Sequence, residues 1–364
     1  MCNAFVNIGF EVVLAMEGNT ETFEEEVNSF VKSSFKFKNT FRTINWEKRS
    51  KYKIINRIHV RKDIKEILQK EKPELVFTRE PIFLRTILNH GFPTIYESHN
   101  AKQHKRIFFV HLFILNEIIN LSKRENFLCL FSISSSLLNF WETKGISKKK
   151  LFAWHDGFDA SLFRHEISKL DAKKSLNLHE KKKIITYTGG LYPDREIEKI
   201  LDLAEYFSDY MFVIIGGPDK YRMLYKEKAL YKNISNINFL GFIKHNDIPS
   251  YLYASDVLLA FWSSNVPTIN YCSPLKLFEY MASGRVILAH GFPTVKEILV
   301  DNEDAVICEP EDHESVLVRL KDAIAQSRDN IIGTQARVKA FRLYTWDNRV
   351  RKLMEFLNDN MNND

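Results

Sequence analysis

The chain has 364 residues, more than a single hydrophobic core usually holds, so we expect two domains. Its 45% apolar residues, 13 glycines and 10 prolines are typical of a globular protein and exclude a disordered or fibrous one. The four cysteines are scattered and form no CxxC pair, which argues against structural zinc or a disulfide framework and favours a reducing compartment.

The net charge of +6 is unevenly distributed. Residues 31–72 hold fourteen Lys or Arg against four Asp or Glu, so the remainder of the chain sums to −4. Such a stretch can meet an anionic membrane, meet nucleic acid, or simply be a solvated surface. The first residues lack the basic leader of a signal peptide, and the longest apolar run, residues 107–115, is far shorter than the roughly 20 residues of a spanning helix. We therefore expect a cytoplasmic protein.

The first half of the chain predicts an α/β domain with an unusual start. A helix over residues 1–8, closed by Gly9, opens the chain, whereas a doubly wound domain normally opens with a strand and a glycine-rich turn. We expect this domain to lack its first strand, which leaves a gap between unpaired strands. Either the true start lies upstream or the product is truncated and inactive. Strands are predicted over residues 11–15, 75–77, 94–96, 128–132 and 151–153, and long helices over 53–70 and 107–121.

The second half predicts a parallel sheet more clearly. Its strands are apolar throughout and alternate with helices, the pattern of a sheet that is covered on both faces. We place the domain break in the polar stretch at residues 161–182. The strands are predicted over residues 183–187, 211–215, 237–240, 257–260, 286–289 and 305–308, and the main helices over 221–231, 248–254 and 275–282.

One helix start predicts an anion site. Ser273 suits an N-cap and Pro274 the first helical position, so the free N–H groups of Leu275 and Lys276 would point out of a positive helix end. Lys276 adds a full charge, and Glu279, one turn further on the same face, can accept the two hydroxyls of a ribose. The alternative is an ordinary surface helix with a Lys–Glu pair.

A second candidate site follows the strand at residues 183–187. Gly189 and Gly190 would let the backbone approach a ligand without a Cβ between them. Arg195 offers a two-pronged donor for phosphate oxygens. Both sites lie at carboxyl ends of strands, where open α/β sheets bind ligands.

These motifs, in this order, resemble the donor domain of the retaining GT-B glycosyltransferases known as glycosyltransferase family 4, or glycosyl transferases group 1. The resemblance implies two Rossmann-like domains that face a cleft: residues 1–165 on the acceptor side, 166–340 on the donor side, and a helix over 341–364 that crosses back. The matching pieces are Tyr187-Thr188-Gly189-Gly190-Leu191, Val213-Ile214-Ile215-Gly216-Gly217-Pro218, Asn238-Phe239-Leu240-Gly241-Phe242, Ala254-Ser255-Asp256-Val257-Leu258-Leu259, Ser273–Glu279 with Tyr280-Met281-Ala282-Ser283-Gly284, Pro293-Thr294-Val295-Lys296-Glu297 and Tyr344-Thr345-Trp346.

The resemblance also implies roles for single residues. Arg195 and Lys276 would neutralise the departing pyrophosphate of a UDP- or GDP-linked sugar without a metal, and Glu279 would hold the ribose. Gly189 and Gly190 would pass close to the phosphates. Four more residues are expected to contact the donor: Ser273, Leu275, Phe242 and Ile243. The last two would lie beside the base.

The first half matches the acceptor domain more loosely, through Thr78-Arg79, Glu97-Ser98-His99, Ser132-Ile133-Ser134 and Asp156-Gly157-Phe158-Asp159. His99 is the catalytic candidate, since at a strand end facing the cleft it could bond the transferred sugar or the acceptor. A hydrogen-bonded loop histidine is the alternative. Two positions depart from the family: Tyr271 stands where many members have a first glutamate, and Glu196 where glycine is common and could crowd the pyrophosphate.

The main hypothesis is a glycosyltransferase that acts, with retention, on a cell-envelope glycan or its lipid carrier. The alternatives are a sugar-nucleotide epimerase of the same architecture and a truncated, non-catalytic nucleotide-binding paralogue. A basic region with Phe35, Phe37, Phe41 and Trp46 interleaved would suit peripheral binding to an anionic membrane. Nucleic-acid binding is not expected, because no recognised motif supports it.

Overall fold

Short strands, most of them apolar, alternate with helices along the chain, and every strand pairing among the described residues is parallel. The computed structural model describes residues 1–18, 41–46, 53–101 and 108–362. The N-terminal strands are β1 (Val13–Glu17), β2 (Arg42–Trp46), β3 (Val76–Thr78), β4 (Thr94–Ser98), β5 (Phe127–Ser132) and β6 (Leu151–Ala153). The N-terminal helices are α1 (Cys2–Asn7), α2 (Lys53–Glu71), α3 (Pro81–Asn89), α4 (Phe108–Leu121) and α5 (Ser135–Thr143).

The C-terminal part begins with two short helices, after which strands and helices alternate. Its strands are β7 (Ile184–Thr188), β8 (Met211–Ile215), β9 (Ile237–Gly241), β10 (Val257–Ala260), β11 (Val286–His290) and β12 (Val306–Cys308). Its helices are α6 (Ala160–Phe163), α7 (Lys169–Ser175), α8 (Ile197–Tyr206), α9 (Asp219–Tyr231), α10 (Ile248–Ala254), α11 (Leu275–Ser283), α12 (Pro293–Ile298), α13 (His313–Gln326), α14 (Ile331–Leu343) and α15 (Trp346–Asn362).

The C-terminal sheet has the order β12-β11-β10-β7-β8-β9 and is buried on both faces. In β10, Leu258 and Ala260 face one apolar core, whereas Val257 and Leu259 face the other. This two-residue alternation between two cores explains why the strand is apolar at every position. The predicted doubly wound sheet is confirmed.

The N-terminal strands form two separate sheets, β1-β2 and β3-β4-β5-β6. Within the described ranges, β1 pairs only with β2, and β3 pairs only with β4. Among the described residues, the N-terminal strands therefore do not form one continuous sheet. Gly9, at φ +102°, follows α1 as expected, because glycine adopts this conformation without strain.

The strand β2 was not predicted from the sequence. It carries Arg42, Thr43 and Asn45, so its composition lacks the apolar run that marks the other strands. It pairs with β1 in the register Val13 opposite Arg42. This contact joins residues that are far apart in the sequence, so local composition cannot predict it.

The structure describes two of the four aromatic residues that were expected to face a membrane, Trp46 and Phe41. Trp46 packs edge-to-face on Phe83, with the ring centroids 5.9 Å apart, in a small core between α2 and α3. Its assignment to a membrane surface is therefore wrong, because its ring is already used in packing. Phe41 is half-buried, and Phe35 and Phe37 lie outside the described residues. Of residues 31–72, the structure describes 41–46 and 53–72.

The last helix, α15, returns to the N-terminal domain. Its Val350, Leu353 and Leu357 are buried together with Phe5 of α1 and Phe131 of β5. The chain reaches α15 through Thr345, which bridges to Phe158 in the interdomain linker. At Gly157 a Cβ would lie 2.7 Å from the Tyr344 carbonyl oxygen, so the two crossing segments approach too closely for any larger residue.

A buried cation lies where these segments meet. The Arg349 side chain of α15 is fully buried, and its Nη1 lies 2.6 Å from Oε1 of Glu97, which is also fully buried at the end of β4. Arg349 Nη2 lies 3.5 Å from Asp156 Oδ1, and Nε donates to the His155 carbonyl at 2.9 Å. Burial alone would raise the pKa of Glu97, but Arg349, His99 and Arg79 together hold it well below its usual range.

We expect Arg349→Met to destabilise the protein by about 3–5 kcal/mol, because it leaves the Glu97 carboxylate buried without its main cation. Urea unfolding followed by fluorescence measures this change. The double variant Arg349→Met/Glu97→Gln should recover a large part of the loss. Arg351→Met, at an exposed position of the same helix, is the control and should stay within about 0.5 kcal/mol of the wild type. If Arg349→Met unfolded at the same urea concentration as the wild type, this role of the ion pair would be contradicted.

Candidate functional site

Three glycine turns form a backbone floor at the carboxyl ends of β7, β8 and β9. Gly189 N–H donates to the Ile215 carbonyl at 2.9 Å, and Gly216 N–H donates to the Gly241 carbonyl at 2.8 Å. A Cβ on Gly216 would lie 1.9 Å from the Gly189 carbonyl oxygen, so no other residue fits there. At Gly190, a Cβ would lie 2.9 Å from the Tyr192 ring. These turns let a ligand approach the main chain closely.

The Lys276 ammonium lies against this floor. Although the residue as a whole is half-buried, its Nζ atom is enclosed and has no hydrogen-bond partner among the described residues. It lies over the rings of Tyr187 and Trp262, 4.0 and 4.5 Å from the centroids. A Cβ on Gly189 would lie 3.7 Å from the Lys276 Nζ atom. Burial lowers the pKa of Lys276 far below its usual value, and the nearby Arg195 charge lowers it further.

Arg195 brings a second cation to the same place. It ends a single 3-10 turn, Pro193–Arg195, after the glycines. Its Nη1 atom is buried without a hydrogen bond among the described residues, and its nearest recorded carboxylate is Asp194 Oδ2 at 3.8 Å. Two neighbouring cations with buried nitrogens that make no hydrogen bond among the described residues favour an anionic ligand with more than one charge.

Glu196 adopts φ +58°, a conformation that glycine takes without strain. This explains why glycine suits the position. Its carboxylate lies 2.9 Å from Nζ of Lys199, so an ion pair with the first turn of α8 holds it.

Glu279 lies one turn after Lys276 on α11 and is largely buried. Burial, followed by the negative charge of Asp159, raises its pKa to about 7. Its Oε1 atom lies 3.5 Å from Nε2 of His245. Sequence reasoning did not single out His245, whose only signal was its place after the Phe242-Ile243 turn. Phe242 is 85% exposed, and Ile243 is half-buried against the small core of β7 and β8.

The start of α11 differs from the prediction in one respect. The helix begins at Leu275, which is half exposed, and Pro274 rather than Ser273 is the N-cap residue. Ser273 was expected to cap the helix, but its Oγ instead accepts a hydrogen bond of 2.8 Å from the N–H of Asp156 in the linker. The first N–H groups of the helix still lack partners within it, because no preceding turn exists.

Tyr271, which replaces the expected glutamate, faces the N-terminal domain. Its side chain packs against the apolar cluster of α4 and α5, and its carbonyl accepts a hydrogen bond of 2.8 Å from Ser134 Oγ. It therefore joins the domains, and it brings no carboxylate to the donor side.

On the N-terminal side, His99 lies in a charged cluster at the end of β4. Its Nε2 atom is 3.1 Å from Glu97 Oε2, to which Arg79 also donates, and the His99 side chain is 31% exposed. Burial raises the pKa of the neighbouring Asp156 against the opposing pull of Arg349. The backbone of Asp156 connects this cluster to Ser273 and thus to the start of α11.

Ligand atoms of Glu97, His99 and Asp156 lie within 4.8 Å of one another, close enough for a metal ion. However, the guanidinium of Arg349 already contacts both carboxylates, Glu97 at 2.6 Å and Asp156 at 3.5 Å. The chemistry of this group therefore fits an ion-pair cluster better than a metal centre.

Glu297 of α12 forms a contact between the domains that sequence reasoning missed, although the residue belongs to a matching motif. Its carboxylate accepts from the N–H groups of Ser135 and Ser136, at 3.0 and 3.4 Å, and lies 3.2 Å from His155 Nε2. Burial would raise the pKa of Glu297, but these hydrogen bonds outweigh it and lower the pKa to about 2. The negative group lies at the positive N-terminus of α5.

Comparisons with known proteins match part of the chain to a family model and the whole chain to a known fold. Residues 168–339 match the model of the family described as glycosyl transferases group 1. A curated relative, "Putative colanic acid biosynthesis glycosyl transferase WcaI" of Escherichia coli (strain K12), is 25% identical over 236 residues, which are 63% of this chain. The match spans 56% of that relative, so the chain covers little more than half of its length.

Solved structures resemble the whole fold. A glycosyltransferase from Rickettsia africae ESF-5 matches with a TM-score of 0.77 at 15% identity, over 100% of this chain and 93% of its own. HepE from Anabaena in complex with UDP matches with a TM-score of 0.71 at 12% identity, over 95% of this chain and all of its own. Residues 168–339 thus resemble the glycosyl transferases group 1, and the whole chain has the GT-B architecture of two Rossmann-like domains.

Proposed function

We propose that the protein transfers a sugar from a nucleotide-diphosphate sugar to a cell-envelope glycan or its lipid carrier, with retention of the anomeric configuration. The observation that carries this proposal is the enclosed Lys276 ammonium, which has no hydrogen-bond partner among the described residues and lies with Arg195 at a floor of glycine backbone.

A diphosphate group suits this arrangement. Burying an amine without a partner is unfavourable, and an anionic ligand would offset that cost. The N–H groups at the start of α11, including those of Leu275 and Lys276, add a partial positive charge in the same region. Gly189 and Gly190 leave space for the phosphates beside these groups.

The same cations would assist the chemical step. When the sugar–phosphate bond breaks, negative charge grows on the departing diphosphate. Lys276, Arg195 and the helix end are fixed where that charge develops, so they stabilise the transition state more than the ground state. We propose that this protein charge replaces a metal ion.

The remaining donor contacts follow from Glu279 and the turn after β9. Glu279 would accept the ribose hydroxyls, and the backbone at Phe242 and Ile243 would border the base. HepE, a protein of the same fold, was solved in complex with UDP and with UDP-glucose, and the matched relative is described as a colanic acid biosynthesis enzyme. These two descriptions support a nucleotide-sugar donor and an envelope polysaccharide as the product.

We assign His99 to the acceptor side. It lies in the cluster that the Asp156 backbone joins to the start of α11, and about a third of its side chain is exposed. Its Nε2 atom lies 3.1 Å from Glu97 Oε2, which leaves the other ring nitrogen for a sugar or acceptor hydroxyl.

Lys276→Met should abolish measurable binding of UDP and GDP in isothermal titration, because the ligand loses its enclosed cation. The same variant should be more stable by about 1–3 kcal/mol, since an unpaired buried amine is replaced by an apolar chain that packs on two aromatic rings. Lys226→Met, at an exposed position of α9, is the control and should change neither property.

The stability gain should depend on pH. The unfolded lysine keeps its proton up to about its ordinary pKa of 10.5, whereas the buried native lysine loses it at lower pH. The unfolded state therefore binds more protons, and wild-type stability rises with pH in this window. The advantage of Lys276→Met should shrink as the pH approaches 10.5. If Lys276→Met bound UDP as tightly as the wild type, the assignment of Lys276 to the donor phosphates would be wrong.

Catalysis is tested by donor hydrolysis, which needs no acceptor. The wild type should release UDP from UDP-glucose, or GDP from GDP-mannose, with EDTA present, and proton NMR should find the first free sugar in the donor's anomeric form. His99→Ala should slow release about a hundredfold, the usual effect of losing one positioned polar group, with donor affinity nearly unchanged. His90→Gln, exposed after α3, is the matched control.

Other products would point to other functions. An epimerised sugar would indicate the epimerase, and nucleotide binding without release would indicate a non-catalytic protein. Loss of activity in EDTA would overturn the metal-free mechanism.

We further propose that the acceptor is reached at an anionic membrane face. None of the described helices is long and apolar enough to cross a membrane. Along α2, Arg61, Lys62, Lys65 and Lys70 are exposed, in the basic region noted above. Each such charge near an anionic surface contributes about 1 kcal/mol of attraction.

Changing Arg61, Lys62 and Lys65 to Glu should therefore abolish pelleting with vesicles of anionic phospholipid. Binding by the wild type should fall as salt rises, because salt screens exposed charges. The matched control changes three exposed lysines of the C-terminal domain, Lys174, Lys181 and Lys226, to Glu. Equal pelleting of both triple variants would contradict the assignment to α2.

A further inference from the structure

We propose that His245 is a positioning residue of the donor site, which holds the Glu279 carboxylate ready to accept the ribose hydroxyls of the nucleotide. The inference rests on the proposed assignment of Glu279 to the ribose. It adds a residue to that site and a dependence of donor affinity on pH.

The geometry connects two elements of the site through this pair. His245 begins a one-turn 3-10 helix, His245–Asp247, directly after the Phe242-Ile243 turn and before α10. Its Nε2 atom lies 3.5 Å from Glu279 Oε1. The two side chains are 36% and 17% exposed, so the pair lies at the edge of the site, where a ligand can reach it. The segment proposed to border the base thus also contacts the group proposed to hold the ribose.

Two charged side chains near the pair are Asp159 and Lys276. Asp159, before α6, acts on both residues, and its Oδ2 atom is buried without a hydrogen bond among the described residues. Lys276 lies one turn earlier on α11. On the elements packed against α11, Arg337 of α14 donates to the Ala282 carbonyl, and the Tyr253 hydroxyl of α10 donates to the Phe163 carbonyl.

These surroundings make the ionisation of Glu279 sensitive. Burial and then Asp159 raise its pKa to about 7, so its ionisation changes near neutral pH. A carboxylate can accept both hydroxyls of a ribose, whereas a protonated acid has lost part of that capacity. Any group that stabilises the carboxylate therefore raises donor affinity near neutral pH.

His245 is placed to do so. A neutral imidazole with its proton on Nε2 can donate toward Glu279 Oε1, and a protonated one attracts the carboxylate more strongly. Burial lowers the pKa of His245, and Asp159 opposes that shift. Without the imidazole, the Glu279 pKa should rise further, and donor affinity should fall at and below neutral pH and recover above it.

The test is the affinity for UDP and for GDP, measured by isothermal titration from pH 6 to pH 9. The variants are His245→Leu and His245→Gln, and His179→Gln, at an exposed position of the same domain, is the control. Each affinity is divided by the wild-type value at the same pH, which cancels the titration of Lys276 and of the phosphate. Thermal unfolding of each variant confirms that it is folded.

We expect His245→Leu to lose about tenfold in affinity at pH 6.5 and less than about twofold at pH 8.5, because one pKa unit on Glu279 changes the ionised fraction about tenfold below its pKa. His245→Gln, whose amide can still donate to the carboxylate, should retain most of the affinity. In a Glu279→Gln background, His245→Leu should cause no pH-dependent loss, since nothing is left to ionise.

Two failures can be told apart. If the wild type binds the nucleotides and the ratio for His245→Leu is the same at every pH, His245 is only a structural residue and this inference is overturned. If the wild type binds neither UDP nor GDP at any pH, the proposed donor site itself is overturned, and the role of His245 with it.

Discussion

The ion pair between Arg349 and Glu97 is the constraint on which the arrangement of the two domains depends. Both side chains are fully buried, and two charges are tolerated there only when they meet with good geometry. Their meeting requires three segments to come together: the end of β4, the linker with Asp156, and α15 after its return from the C-terminal domain. Apolar packing of α15 could tolerate a shift along the sheet. The pair cannot, so it fixes where the return helix lies.

From this pair, polar contacts lead directly into the cleft. Asp156 contacts Arg349 through its carboxylate and Ser273 through its N–H, so the linker connects the buried charge to the start of α11. Ser134 with the Tyr271 carbonyl, and Glu297 with the start of α5, add two further contacts between the domains. Interfaces made of such polar contacts can exchange them for water, unlike a continuous apolar core. The cleft is therefore defined by a few directional bonds, while each domain keeps its own core.

The sequence predicts what is local and leaves out what is long-range. Strands such as β8 and β10 are apolar at every position, so both were predicted with the bounds that the structure has. The strand β2 is polar, and only its pairing with β1 makes it a strand. Lys276, Arg195 and Glu279 follow local strand and helix signals, and the structure brings Lys276 and Arg195 together. Arg349, His245 and Glu297 resemble ordinary surface residues in the sequence, because their partners are distant along the chain. Ser273 was misassigned for the same reason: its bond to Asp156 spans 117 residues.

The donor side concentrates unfavourable electrostatics on one short helix. In α11, burial opposes the charged form of both Lys276 and Glu279, which lie one turn apart. The opposite face of the same helix offsets this cost, since Leu277, Phe278 and Met281 are completely buried in the main core of the domain. Because its apolar face is packed in the core, this helix can keep charged groups in positions that are shielded from water. A ligand with a diphosphate and a ribose would supply partners for both groups at once. Binding would therefore remove the unfavourable free energy of burying Lys276 and Glu279 without partners.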